Sequence, residues 1–169
     1  MLRSVRSAAV ALAMVAGLGS AAHAQTNYQR LTTEFLGGSM SMDVADTGRA
    51  DLLRRTAMML PTSNAQGQFW LLSPSGGGNF RMTTAWTGAG QCLDVGQGGV
   101  LYFDTCGPQI GQQWQVQRTA GGRVRIMNAF MPGHCLDVNN DPSAYVVLLR
   151  PCGPQIGQNW DVTDTGVSP

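Results

Sequence analysis

The sequence predicts an all-β fold built from three copies of one unit, and three observations carry this reading. The phrase CGPQIGQQW, Cys106 to Trp114, returns as CGPQIGQNW, Cys152 to Trp160. A Gly-Gln-x-Trp closes each of three stretches, at Trp70, Trp114 and Trp160, with spacings of 44 and 46 residues. Between these marks, apolar and polar residues alternate with the period of two that belongs to strands. A fixed-period echo of this length is the signature of a repeated supersecondary unit. Upstream of each tryptophan, RLTTEFLGGSMSMDV (Arg30 to Val44), RMTTAWTGAGQCLDV (Arg81 to Val95) and RIMNAFMPGHCLDV (Arg125 to Val138) align in phase. The units therefore run over roughly 28–78, 79–120 and 121–164.

Residues 1–24 read as a secretory signal peptide rather than part of the fold. Arg3 and Arg6 give a basic start, Ala8 to Gly19 an apolar run, and Ala22-His23-Ala24 the small-x-small cleavage pattern. The run is shorter than the roughly 20 residues that span a bilayer. The remaining chain, 25–169, suits one domain. Leu31, Met82 and Ile126 align, as do Phe35, Trp86 and Phe130, and Met42, Leu93 and Leu136. With the three repeated tryptophans these are expected to build a shared core. Leu93 and Val95 alternate with Cys92 and Asp94, and Leu136 and Val138 with Cys135 and Asp137. GQGG (96–99) and NNDP (139–142) read as hairpin turns. The most helix-like stretch, Asp51 to Leu60, lacks a cap and a sustained 3.6-residue period. Propellers typically take four to eight blades, so three all-β units fit a closed barrel with internal threefold symmetry better.

The chain has no lysine and a formal net charge of +1. Without Arg3 and Arg6, nine arginines face ten acidic residues, which argues against nucleic acid and against an anionic membrane as partner. Export makes disulfides plausible, and the repeat pairs Cys92 with Cys106 and Cys135 with Cys152. Each bridge closes an equivalent loop and contributes about 3 kcal/mol. No two cysteines are close enough for a CxxC metal site, and no metal or cofactor is expected. The first copy carries Ser41 and Thr62 in the cysteine positions and is expected to be the least constrained. An enzyme is not expected: His134 and Glu34 lie in different repeats after signal cleavage, and no nucleophile elbow, zinc signature or phosphate loop occurs.

CLDV, a second cysteine and then QxW, in phase over three copies, resembles the ricin B-type (QxW) lectins. The resemblance covers nearly all of 25–169 and implies a β-trefoil with shallow sugar pockets on the repeats. In that family the strand aspartate accepts from sugar hydroxyls, a ring before the second cysteine stacks on the sugar, and an Asn and the Gln of QxW complete the frame. The aspartates carry over as Asp43, Asp94 and Asp137, and the glutamines as Gln68, Gln112 and Gln158. Gly67, Gly111 and Gly157 stand where the family has Asn, and Asp104 and Arg150 where it has the ring. Strand alternation gathers Asp94, Tyr102, Asp104 and Gln112 in repeat two. It gathers Asp137, Leu148, Arg150 and Gln158 in repeat three, and Asp43, Met58, Leu60 and Gln68 in repeat one. Repeat two is therefore expected to bind best and repeat one worst, with Asp94→Asn sparing the fold. The aspartates are equally open to a structural role, held by the glutamines, and Asp137 to an ion pair with Arg150. The expectation is a monomeric carbohydrate-binding module, secreted or periplasmic, whose partner is a glycan and which enters no membrane after signal cleavage. The alternative is a trefoil scaffold with degenerate pockets that serves protein interaction.

Overall fold

The computed structural model describes residues 27–46 and 55–169. The signal peptide expected at 1–24 lies outside the described residues. Six strands, β1 (Gln29–Thr33), β4 (Trp70–Gly76), β5 (Asn79–Thr84), β8 (Trp114–Arg118), β9 (Val124–Asn128) and β12 (Trp160–Asp164), form an antiparallel ring. The ring closes because β1 pairs with both β4 and β12, while β4–β5, β5–β8, β8–β9 and β9–β12 complete the circuit. Closure leaves no free edge on the barrel. Each unit adds one hairpin: β2 (Met40–Asp46) with β3 (Arg55–Pro61), β6 (Gln91–Val95) with β7 (Leu101–Thr105), and β10 (His134–Val138) with β11 (Val147–Pro151). The second strands of the three hairpins touch one another. Four strands per unit, two in the barrel and two in a hairpin, make a β-trefoil.

Leu31, Met82 and Ile126, Met42, Leu93 and Leu136, and Trp70, Trp114 and Trp160 are all buried to 0% exposure, as their alignment predicts. The tryptophans satisfy their indole N–H inside: Nε1 donates to Met42 O at 2.8 Å, Leu93 O at 3.0 Å and Leu136 O at 2.9 Å. A ring this large is stabilising in a core only when its polar handle finds a partner. The aligned set of Phe35, Trp86 and Phe130 departs from expectation. Trp86 and Phe130 are 42% and 44% exposed, and Phe35 is only partly buried. All three lie in the turn that follows the first strand of a unit, past the last residue that points into the barrel. Of the helix-like stretch, Arg55 to Leu60 belongs to β3, paired along its length with β2, and 51–54 lies outside the described residues. Among the described residues no helix is long and apolar enough to cross a membrane.

Both disulfides pair within a unit, Cys92–Cys106 with Cα atoms 4.9 Å apart and Cys135–Cys152 at 5.0 Å. In each case the first cysteine faces a residue (Asp104, Arg150) two positions before the second. Repeat one keeps this register: Ser41 faces Leu60, and Thr62 follows two positions later. A hydrogen bond of 2.7 Å between Ser41 Oγ and Thr62 Oγ1 takes the place of the bridge, and Thr62 Oγ1 donates to Gly38 O at 2.8 Å. The double substitution Ser41→Cys/Thr62→Cys is therefore expected to close a third disulfide and raise stability by about 3 kcal/mol. Thermal melts with and without reductant, together with the intact mass, check this. A pair that stays reduced under oxidising conditions would show that the first hairpin departs from the geometry of the other two.

Candidate functional site

The Gly-Gln of each G-Q-x-W lies in a short 3-10 turn, over Gln66–Gln68, Ile110–Gln112 and Ile156–Gln158, and the glutamine is fully buried. Its amide is used up inside the protein. Gln68, Gln112 and Gln158 each accept at Oε1 from a backbone N–H, of Ser63, Gly107 and Gly153, at 2.9 Å. Their Nε2 groups donate to Pro61 O, Thr105 O and Pro151 O at 3.0, 3.0 and 3.1 Å. The second Nε2 proton goes to the strand aspartate: Gln68 to Asp43 Oδ2 at 3.1 Å, Gln112 to Asp94 Oδ2 and Gln158 to Asp137 Oδ2 at 3.0 Å. The other carboxylate oxygen accepts from the next backbone N–H, of Val44, Val95 and Val138, at 2.7, 2.7 and 2.8 Å. The structural role open to the aspartates is thus realised in all three units, and the glutamines orient carboxylates instead of facing solvent.

This arrangement accounts for the glycine in place of the Asn that the resemblance implied. A Cβ on Gly67, Gly111 or Gly157 would overlap the Oδ1 atom of Asp43, Asp94 or Asp137. It also argues against the expectation that Asp94→Asn spares the fold. Both oxygens of Asp94 accept from N–H donors, so an amide at this position satisfies one and sets its own NH₂ against the other. Arg30 and Arg125, which open the first and third units, brace the same turns by donating to Ser63 O at 2.7 Å and Gly153 O at 2.6 Å. Their repeated position in the alignment is the signal by which the sequence could have shown this.

The rims of the three units differ. In repeat two Asp94 faces Tyr102 across the hairpin and Cys92 faces the exposed Asp104, so these residues share one face of the hairpin, whereas Gln112, expected with them, is buried and turned to Asp94. Burial, then the charges of Asp94 and Asp104, raises the Tyr102 phenol above its ordinary value. In repeat three Asp137 faces Leu148, while Arg150 lies exposed opposite Cys135. Among the described residues the ion pairs are those of Arg123 with Glu34 and Asp161, and none joins Arg150 to Asp137. Leu148 and Arg150 line a mainly apolar hollow of about 490 Å³, with Met58 and Val146. In repeat one Asp43 is the least buried of the three carboxylates, at 6% exposure against 3% and 2%. Burial nonetheless pushes its carboxyl above the usual value of 3.8, against the pull of the Gln68 and Val44 hydrogen bonds. It opens onto a concavity of about 350 Å³ lined by Val44, Ala65, Gln66, Gly67 and the exposed ring of Trp86. The sequence reading missed Trp86 as a rim residue by assigning it to the core. Among the described residues no group of three His, Cys, Asp or Glu could hold a metal ion.

A closed six-stranded barrel with three hairpins, each carrying an Asp–Gln pair above a buried tryptophan, defines a trefoil of the lectin type. Residues 78–168, more than half of the chain, match the ricin-type beta-trefoil lectin domain, and the chain belongs to that family. Comparison with curated proteins finds no match. Among solved structures, a designed 3-fold symmetric protein, ThreeFoil, superposes with a TM-score of 0.69 at 22% identity, over 81% of this chain and 98% of that one. An exo-beta-1,3-galactanase from Clostridium thermocellum gives 0.69 at 22% identity, over 83% of this chain but 30% of its own. The beta-trefoil lectin of the Vibrio vulnificus hemolysin/cytolysin, with N-acetyl-D-lactosamine bound, gives 0.61 at 15% identity, over 82% and 95%. At these identities the likeness is one of fold.

Two substitutions test the clamp. Gly111→Ala is expected to destabilise by about 1–3 kcal/mol through forced displacement of Asp94. Asp94→Asn is expected to cost about 1–3 kcal/mol through the opposed donors. Urea unfolding measures both, and wild-type stability in either variant would remove the clamp as described.

Proposed function

We propose that the protein is an exported carbohydrate-binding module without catalytic activity of its own, taking glycans in shallow pockets on its repeats. The carrying observation is the carboxylate of Asp94. Among the described residues Gln112 and the Val95 N–H hold it in place and occupy two of its roughly four acceptor sites. Beside it stand a partly exposed ring, Tyr102, and a second carboxylate, Asp104. A ring for the C–H face of a pyranose and fixed acceptors for its hydroxyls are the chemistry that binds sugar. Asp43 and Asp137 repeat the acceptor, with Gln68 and Gln158 as their positioning residues, and Arg150 offers donors at the edge of repeat three. Two disulfides and the signal-like start fit an extracellular or periplasmic site of action. The galactanase and the hemolysin lectin domain make galactose-containing glycans the first ligands to try.

A second reading, a scaffold that binds protein, is favoured by the 2% exposure of Asp137 and the leucine that faces it. A site with so few contacts binds weakly, about millimolar or −4 kcal/mol, and gains from several sites meeting a multivalent glycan. A glycan array bearing N-acetyllactosamine and β-1,3-linked galactose oligomers separates the two readings. Tyr102→Ala and Asp104→Ala are expected to weaken glycan binding several-fold while leaving the melting temperature within a few degrees. An array without signal, or binding indifferent to both substitutions, would turn the assignment away from repeat two.

A further inference from the structure

Trp86 belongs by sequence to repeat two, but its place in space is beside the carboxylate of repeat one. The turn that bears it is docked there by backbone bonds: Ala85 N donates to Phe69 O at 2.9 Å and Trp86 N to Gln66 O at 3.3 Å. The same docking recurs around the axis. Ala129 N donates to Gln113 O at 3.0 Å, and Glu34 N to Asn159 O at 2.9 Å. Each aligned ring, Trp86, Phe130 and Phe35, is therefore carried by a turn docked on the preceding unit, the third unit preceding the first. Asn128 of repeat three strengthens its link to repeat two by donating to Gly111 O at 2.8 Å while accepting from Phe130 N.

We propose that Trp86 is the stacking platform of a composite sugar subsite, in which repeat two supplies the ring and repeat one, through Asp43, supplies the acceptor. The proposal rests on the carbohydrate-binding reading and assigns a second site to the module, at the unit whose own hairpin offers only Met58 and Leu60. The ring and the carboxylate line one concavity of about 350 Å³, and Gly67 and Ala65 keep its floor free of bulky side chains. Among the described residues each oxygen of Asp43 has one hydrogen bond, which leaves a lone pair for a sugar hydroxyl. The ring is held before any ligand arrives, since the Arg55 guanidinium lies 5.0 Å from its centroid and the backbone bonds fix the turn. Rigid presentation of a large ring reduces what ordering costs on binding. The ligand class is a pyranose with a continuous C–H face and adjacent hydroxyls. The ranking read from sequence set repeat one last because it compared rings within each repeat only.

The four tryptophans make the test direct, because Trp70, Trp114 and Trp160 are buried to 0% and Trp86 alone among them is exposed. With N-acetyllactosamine and a β-1,3-galactose disaccharide as probes, bound sugar is expected to shift Trp86 fluorescence and shield it from acrylamide. Trp86→Ala is expected to lower affinity about tenfold, as the loss of an anchoring tryptophan does, and Trp86→Phe to retain part of it. Near-ultraviolet circular dichroism verifies that the three core tryptophans remain packed. Sugar binding of unchanged affinity in Trp86→Ala, with acrylamide quenching unmoved in the wild type, overturns the composite subsite and leaves the lectin reading standing. Failure of the wild type to bind either probe or any glycan on an array removes both.

Discussion

A buried aspartate–glutamine hydrogen bond, made once in every unit, is the contact on which the arrangement of hairpins and barrel depends. The aspartate sits on the first strand of a hairpin, and the glutamine in the turn that leads into a barrel strand. The same glutamine ties down the far end of the hairpin through a backbone carbonyl and a backbone N–H. Two residues later the tryptophan fills the core and donates to the carbonyl just before the aspartate. One short phrase thereby joins three segments that are distant in sequence. Removing any one polar partner would leave the others buried without a match, which costs more than the bond contributes. The phrase can therefore be copied only as a whole.

This economy has a consequence for recognition. The interior of the phrase is the same in all three units: Asp, Gly, Gln and Trp at equivalent places, with hydrogen bonds equal to within 0.1 Å at the aspartate. The rim is not under that constraint, and it varies. Met58, Tyr102 and Leu148 face the three aspartates, and Gln66, Ile110 and Ile156 occupy the turns. Ile110 and Ile156 stand 55% and 47% exposed, which no packing requirement explains. Because the clamp uses the glutamine entirely and each aspartate in part, a ligand meets only spare lone pairs and whatever the rim supplies. The three units are thus one scaffold with three different surfaces, and under the proposed carbohydrate-binding reading selectivity lies in the variable part.

The number of units, their strands, the disulfide pairing and the partnership of Asp with Gln were all legible in the sequence. Each of these follows from spacing within one unit, and repetition made the spacing visible three times over. Strand alternation even put Tyr102 on the face of Asp94, and the structure pairs the two across the hairpin, because pairing in a short hairpin is a local matter. One reading departs from the structure, and the hydrogen bonds argue against a second. Trp86 and Phe130 look like core residues because they are large, apolar and in phase, yet a turn lies just where the barrel ends and leaves them outside. Asn looked harmless at 94 because its shape matches, but the two donors aimed at the carboxylate come from a neighbouring peptide and from a side chain 18 residues away.

By itself, then, the sequence determined what is periodic: three β units, their shared buried residues and the bridges inside them. Only the tertiary structure decided which ring of one unit stands on the same concavity as the carboxylate of another. Closing the barrel docks the first turn of each unit on the last turn of the unit before it, so Trp86 and Asp43 line one concavity and Asn128, which leads into the turn of Phe130, reaches Gly111. Such neighbours belong to different copies of the repeat. No spacing within a copy encodes them, and they exist only once the ring of six strands is shut.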